Sequence, residues 1–133
     1  MTVYLLDTNH LSPLVTTNHP LRTKILSSAA NDDVFAVAAP VLSEFLYGIG
    51  TLPRAQQNLK EWTHIKSDFR YYDLTWTDAE SAAKLRLLLR SQGWQLSLVD
   101  ALIAVVALQN DLTLLTTDKD FRGIPDLKQE NWR

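Results

Sequence analysis

The chain has 133 residues, 46% hydrophobic and 21% charged, with a formal net charge of −2. That is enough to bury the core of one domain and too apolar for a disordered chain. Cysteine is absent, which excludes disulfides, thiolate zinc sites, iron–sulfur clusters and cysteine nucleophiles together.

His10, His19 and His64 are too scattered for a zinc motif. Any metal is therefore expected to be a hard cation held by oxygen. The longest apolar run, Ala101 to Leu108, is too short to cross a bilayer. The opening Met1-Thr2-Val3-Tyr4-Leu5-Leu6-Asp7 lacks the basic region of a signal peptide, so the expected location is cytoplasmic. The slightly acidic balance argues only weakly against a nucleic-acid partner, because a bound cation would cancel acids gathered in one site.

In chain order, Thr2 to Leu6 reads as a buried strand ending at Asp7. A helix is expected over Leu21 to Ala30, with Pro20 near its start. The turn residues Asn31-Asp32-Asp33 precede a second strand, Val34 to Ala38. Pro40 suits the first turn of a helix over Val41 to Tyr47, stopped by Gly48 and Gly50. Pro53 opens another helix reaching Ile65. Tyr71 to Thr75 is a third strand, and Asp78 to Ser91 a helix ended by Gly93. Ser97 caps an apolar helix through Leu108, Leu112 to Thr116 is a fourth strand, and a helical turn follows Asp118. Strands alternating with helices in this way indicate an α/β fold, a mainly parallel sheet covered on both faces.

Ligands of open parallel sheets bind beyond the carboxyl ends of the strands. Asp7 and Asp118 directly follow the first and fourth strands. Glu44 and Asp100 stand in the first turns of helices that begin at the same edge. Each has a plainer reading. Asp7 and Asp118 suit helix caps, and Ser97-Leu98-Val99-Asp100 fits a capping box. Glu44 and Asp100 resist that reading, because their apolar surroundings make an unpaired carboxylate costly. Two carboxylates 4 Å apart repel by roughly 4 kcal/mol at an effective dielectric near 20. A divalent cation reverses the sign, and so explains a gathering that stability alone would not choose.

The run Tyr4-Leu5-Leu6-Asp7-Thr8-Asn9 resembles the opening of PIN-domain nucleases. So do Val41-Leu42-Ser43-Glu44-Phe45-Leu46-Tyr47-Gly48 and Leu96-Ser97-Leu98-Val99-Asp100-Ala101-Leu102-Ile103-Ala104. Leu114-Leu115-Thr116-Thr117-Asp118-Lys119-Asp120-Phe121 and the ending Asn131-Trp132 complete the series. Their order and spacing are similar to the VapC toxins of bacterial toxin–antitoxin pairs. The resemblance implies one PIN-like domain over residues 1–133, with a three-layer α/β/α fold. It implies a Mg2+- or Mn2+-dependent endoribonuclease, a homodimer, and neutralisation by a small antitoxin protein. It points to RNA as substrate, transfer RNA in particular.

Carried over by position, Asp7 and Asp100 match the most dependable metal-binding acids, and Glu44 and Asp118 the other two. These four are the expected catalytic and metal residues. Asp120 is assigned to the helical turn rather than to the site. Asn9 matches a polar position that steadies the first acid, and His10 reads as a packing feature. The chemistry implied is metal-assisted hydrolysis of a phosphodiester. Lys119, Arg122 and Arg86 are the candidates for substrate phosphate, set against solvated surface charge. Trp62, Trp76, Trp94 and Trp132 are read as packing at the core's edge rather than as base-stacking platforms.

Rival readings fit less well. The only glycines are Gly48, Gly50, Gly93 and Gly123, so there is neither a dinucleotide fingerprint nor a P-loop. A haloacid-dehalogenase-type phosphatase wants an aspartate where Asn9 stands. A housekeeping RNA-processing nuclease and a non-catalytic binding module of the same fold remain as alternatives.

Overall fold

The computed structural model describes all residues, 1–133. Five strands, all parallel, form one sheet in the order β3-β2-β1-β4-β5. The strands are β1 (Val3–Leu6), β2 (Val34–Ala38), β3 (Arg70–Tyr72), β4 (Thr113–Leu115) and β5 (Gln129–Glu130). The helices are α1 (Thr8–Leu11), α2 (Pro20–Ala30), α3 (Ala39–Gly50), α4 (Ala55–Ile65), α5 (Trp76–Ser91) and α6 (Leu98–Gln109), with short 3-10 turns at Ser12–Val15, Lys66–Asp68 and Lys119–Gly123. Parallel strands need crossover connections, and here helices supply them from β1 to its neighbour β2, from β2 to its neighbour β3, and from β3 across the sheet to β4, which pairs with β1.

The innermost strand is the most apolar. Leu5 and Leu6 of β1 are fully buried, and Leu5 pairs with Ala36 on one side and Leu114 on the other. Burial on both faces explains why β1, β2 and β4 read as continuous apolar runs rather than alternating ones. The 31 buried hydrophobic residues form one contiguous core. In α3 the buried positions are Val41, Phe45 and Ile49, the four-residue spacing of a single face. In α6 burial is nearly all round, Ala101 and Ile103 through Ala107 being buried, because this helix lies between the sheet and α5. An ion pair between Arg22 and Glu61 (2.9 Å) ties α2 to α4, and Arg22 also donates to the Leu14 carbonyl (3.0 Å).

Several element boundaries differ from the sequence reading, each for a local reason. Gly48 and Gly50 do not stop α3, which runs through both; buried Ile49 between them offsets their poor helix propensity. Pro53 lies in the turn ahead of α4 rather than in its first turn. The third strand is Arg70–Tyr72, and the following residues lead into a helix cap instead. Thr75 and Asp78 form a reciprocal capping box (2.9 and 3.1 Å) that starts α5 at Trp76. Gly93 does end α5: its φ of +80° lets the Gly93 and Trp94 amides bond back to the Arg90 and Leu89 carbonyls (3.0 and 2.9 Å). Strand β5 was not expected, since Gln129-Glu130 carries no apolar signal. It exists because the Leu114 and Thr116 amides on the open edge of β4 bond to the Lys128 and Glu130 carbonyls.

Candidate metal and nuclease site

The carboxyl ends of β1 and β4 lie side by side, so the chain segments leaving them share one edge. Asp7 leaves β1 with its backbone N–H bonded to the Leu115 carbonyl (3.0 Å), which carries the strand pairing up to the acid itself. Its side chain is 7% exposed and held at both oxygens. Oδ1 accepts from the Thr8 amide (2.9 Å), while Oδ2 accepts from Thr116 Oγ1 (2.8 Å) and Asn9 Nδ2 (3.2 Å). Thr116, just beyond β4, also accepts from the Asp118 amide (2.9 Å) and from Asn9 Nδ2 (3.3 Å). One hydroxyl thus sets the position of two acids that lie 111 residues apart.

Asp118 accepts from the Asp120 amide through Oδ1 (2.9 Å) and caps the turn Lys119–Gly123. Asp100 sits in the first turn of α6, half-buried, its amide bonded to Ser97 Oγ (3.1 Å). The capping box suggested by Ser97 and Asp100 is only half formed. No bond returns from the Asp100 carboxylate to the Ser97 backbone, in contrast to Thr75 and Asp78. The carboxylate instead faces the other acids. Asp100, Asp118 and Asp120 each offer an oxygen within 4.8 Å of the others.

The electrostatic consequence falls on Asp100, whose pKa is raised to about 6. Burial is the largest cause, followed by the charges of Asp118 and Asp7, with Asp120 adding to them; the Ser97 hydroxyl works the other way. Asp7 stands outside the group of oxygens within 4.8 Å; its link to the acids is the Thr116 hydroxyl it shares with the Asp118 amide, and its charge adds to the upward push on Asp100.

Other expectations meet a different geometry. Asp120, read as a turn residue, belongs to the acid group, because the 3-10 turn folds it back beside Asp118. Glu44 is exposed on α3, not embedded among its apolar neighbours, and stands outside the group of oxygens within 4.8 Å. It lies beside the face formed by Val41, Phe45 and Ile49 rather than on it. Lys119 and Arg122 line a polar cavity of about 210 Å³ together with Asp118, Thr117 and Asn131. Arg86 is directed elsewhere: its Nε donates to the Leu96 carbonyl (3.0 Å) and braces the segment entering α6. Among the tryptophans, Trp62 is buried against Phe45 and Phe69, and Trp132 packs edge-on to Tyr4 and Phe35. Trp94 lies over Gly123 and donates to the Asp120 carbonyl (2.9 Å), whereas Trp76 is 84% exposed.

The PIN domain family model matches residues 4–127, a span that includes every acid of the site. The chain belongs to the PIN-domain family. Ribonuclease VapC2 of Rickettsia felis is 28% identical to this PIN domain over 131 residues, 98% of each protein. The crystal structure of VapBC2 from Rickettsia felis, bound to a DNA fragment from their promoter, matches with a TM-score of 0.86 and 27% identity, over 99% of this chain and 100% of that one. DNA-bound VapBC from Salmonella typhimurium matches with a TM-score of 0.83 over 100% of both chains; at 22% identity the likeness speaks to the fold alone. The α/β/α architecture expected from the sequence is the one observed.

Proposed function

We propose that this PIN domain is a divalent-cation-dependent endoribonuclease, the toxin of a toxin–antitoxin pair. The observation that carries the reading is the gathering of Asp100, at the start of α6, with Asp118 and Asp120, in the turn after β4, beside Asp7 at the end of β1, which is tied to the Asp118 backbone through Thr116. A cluster of carboxylate oxygens suits a hard cation such as Mg2+ or Mn2+, and the upward push on Asp100, from burial first and then from Asp118 and Asp7, is the cost such a cation offsets. Asp7, Asp100 and Asp118 would hold it, with Asp120 beside them; Glu44, exposed on α3 and outside the group, is the remaining acid of the sequence pattern. A bound cation supplies Lewis acidity toward a phosphodiester and toward the attacking water.

The chain's own groups do the rest. Thr116, Asn9 and the Thr8 amide keep the Asp7 carboxylate in a fixed orientation, so that little reorganisation accompanies binding. Lys119 and Arg122, bordering the cavity next to Asp118, are placed to pair with phosphates of an RNA strand. Arg86 contributes by holding the segment before Asp100, and any phosphate contact falls to its remaining guanidinium nitrogens. The relatives solved as VapBC complexes support an antitoxin protein as partner; a homodimer and transfer RNA as substrate class belong to the same proposal. No helix is long and apolar enough to cross a membrane.

The test is cleavage of a defined RNA by the purified chain, with Mg2+ or Mn2+ and with chelator. Cleavage is expected only with the cation, and Asp100→Asn is expected to abolish it. Cleavage that persists in chelator would overturn the metal assignment. Growth arrest on expression, relieved by a small protein encoded beside this gene, tests the toxin assignment separately.

A further inference from the structure

His10 is fully buried, yet both of its ring nitrogens are engaged. Nε2 accepts from the Trp132 backbone N–H (3.0 Å), and Nδ1 lies 2.7 Å from Asn9 Oδ1. The protons along this chain are fixed by its two ends. The Trp132 amide can only donate, so Nε2 carries no proton and Nδ1 must carry it. The Thr117 amide donates to Asn9 Oδ1 (3.1 Å), so the oxygen of the Asn9 side chain faces Thr117 and His10. Its Nδ2 is then turned toward Asp7 Oδ2 and Thr116 Oγ1, the geometry found here (3.2 and 3.3 Å). Every donor and acceptor of the Asn9 side-chain amide is thereby used. Arg133 adds a bond from Nη1 to the Asn9 carbonyl (2.9 Å), and Lys24 lies over the Trp132 ring (4.7 Å).

We propose that His10 is a positioning residue for Asp7. In its Nδ1–H form it fixes the rotamer of Asn9, so that Asp7 always faces a donor, and it makes the segment Asn131–Arg133 part of the site's framework. Apolar side chains would fill the same space, so packing alone does not explain an imidazole with a hydrogen bond at each nitrogen. Its neutrality fits the surroundings: burial above all, then the charges of Arg133 and Lys24, lower its pKa to about 4. A second ring proton would oppose the Trp132 N–H.

This inference rests on the metal-site reading, and its test separates the two. Mn2+ is titrated calorimetrically into the full chain and into His10→Leu, His10→Gln, Asn9→Ala and the Asn9→Ala/His10→Leu double variant. His10→Leu is expected to weaken Mn2+ binding about tenfold, in line with the effect of groups that orient metal ligands. Gln, which offers a donor and an acceptor on one side chain, is expected to recover most of that loss. In the Asn9→Ala background, His10→Leu is expected to change the affinity by less than about twofold, because its route to Asp7 is gone. A folded His10→Leu with wild-type affinity, or fully additive losses in the double variant, would overturn the proposal. Nitrogen-15 spectra of the wild type give a readout free of both folding defects and metal: His10 must appear as the neutral Nδ1–H tautomer, and the Nε2–H form would refute it. If the wild type binds no Mn2+, the metal reading falls. The role of His10 is then decided by that tautomer and by whether His10→Gln keeps, and His10→Leu shifts, the Asn9 side-chain amide resonances.

Discussion

Replacing Asp100 with asparagine is expected to stabilise the metal-free protein while removing its response to cations. The carboxyl of Asp100 is raised to about 6 from 3.8, first by burial and then by Asp118 and Asp7. One pKa unit corresponds to about 1.4 kcal/mol, so the shift sets an upper bound of about 3 kcal/mol on the cost of ionising it in the fold. The group is only partly buried, and with solvent screening we expect about 1 kcal/mol. The sign follows from proton binding. Folded Asp100 holds its proton more tightly than the unfolded chain does, so this contribution to stability is complete below pH 3.8 and is lost as pH rises through about 6. Asparagine has no such window. Urea unfolding in chelator at pH 4.5, 6 and 7.5 measures it, as the difference between wild type and variant. Asp100→Asn should gain about 1 kcal/mol on the wild type between the lowest and highest pH. Only the difference is diagnostic, because His10 contributes the opposite slope over an overlapping range. Saturating Mn2+ at one hundred times its dissociation constant should then raise the wild type by about 2.7 kcal/mol and leave the variant unchanged. If Asp100→Asn is no more stable than the wild type at pH 7.5 in chelator, burial and the neighbouring acids do not penalise the ionised carboxylate and the central argument fails.

Three further outcomes are expected. His10, lowered to about 4 from 6.5 mainly by burial, contributes stability that is complete above pH 6.5 and is lost as pH falls through about 4; His10→Gln should flatten that acid limb by about 2 kcal/mol in urea midpoints measured over the same range. Thr116→Val should keep the fold but remove a donor from Asp7 and an acceptor from the Asp118 amide, lowering Mn2+ affinity and RNA cleavage together by about tenfold or more. Gly123→Ala would bring a Cβ to 3.0 Å from Trp94 Cδ2, at the fused bond of a ring held in place by its bond to Asp120; the expected cost is about 1 kcal/mol by thermal melting, with a shifted tryptophan emission.

Local patterns carried a large part of this molecule. The apolar runs of β1, β2 and β4 and the cap of α6 at Ser97 are properties of adjacent residues, and the sequence reading places them within a residue or so. The meeting of Asp100 with Asp118, and the position of Asp7 at the neighbouring strand end, were legible too, because parallel strands send their carboxyl ends to one edge. The environment of Glu44 was misread. Phe45 next to it is buried, yet one step around a helix turns a side chain by about 100°, from core to solvent. Asp120 reads as a helical-turn residue because the number of acids in this motif varies across the family it resembles, and its spacing from Asp118 does not say how tightly the 3-10 turn curls. A clue to Thr116 was present, a hydroxyl at the end of a buried strand, but its partners lie on β1's side of the sheet.

Residue order by itself determined which segments are strands and helices, and which acids sit at their ends, because side-chain burial within an element follows a short period. Only the folded chain decided that Gln129-Glu130 is a strand, that Asp120 stands with Asp100, and that Trp132 fixes a proton on His10 and through it the amide beside Asp7. Those facts depend on hydrogen bonds between groups up to 122 residues apart, whose energy exists only once the sheet has brought them within about 3 Å.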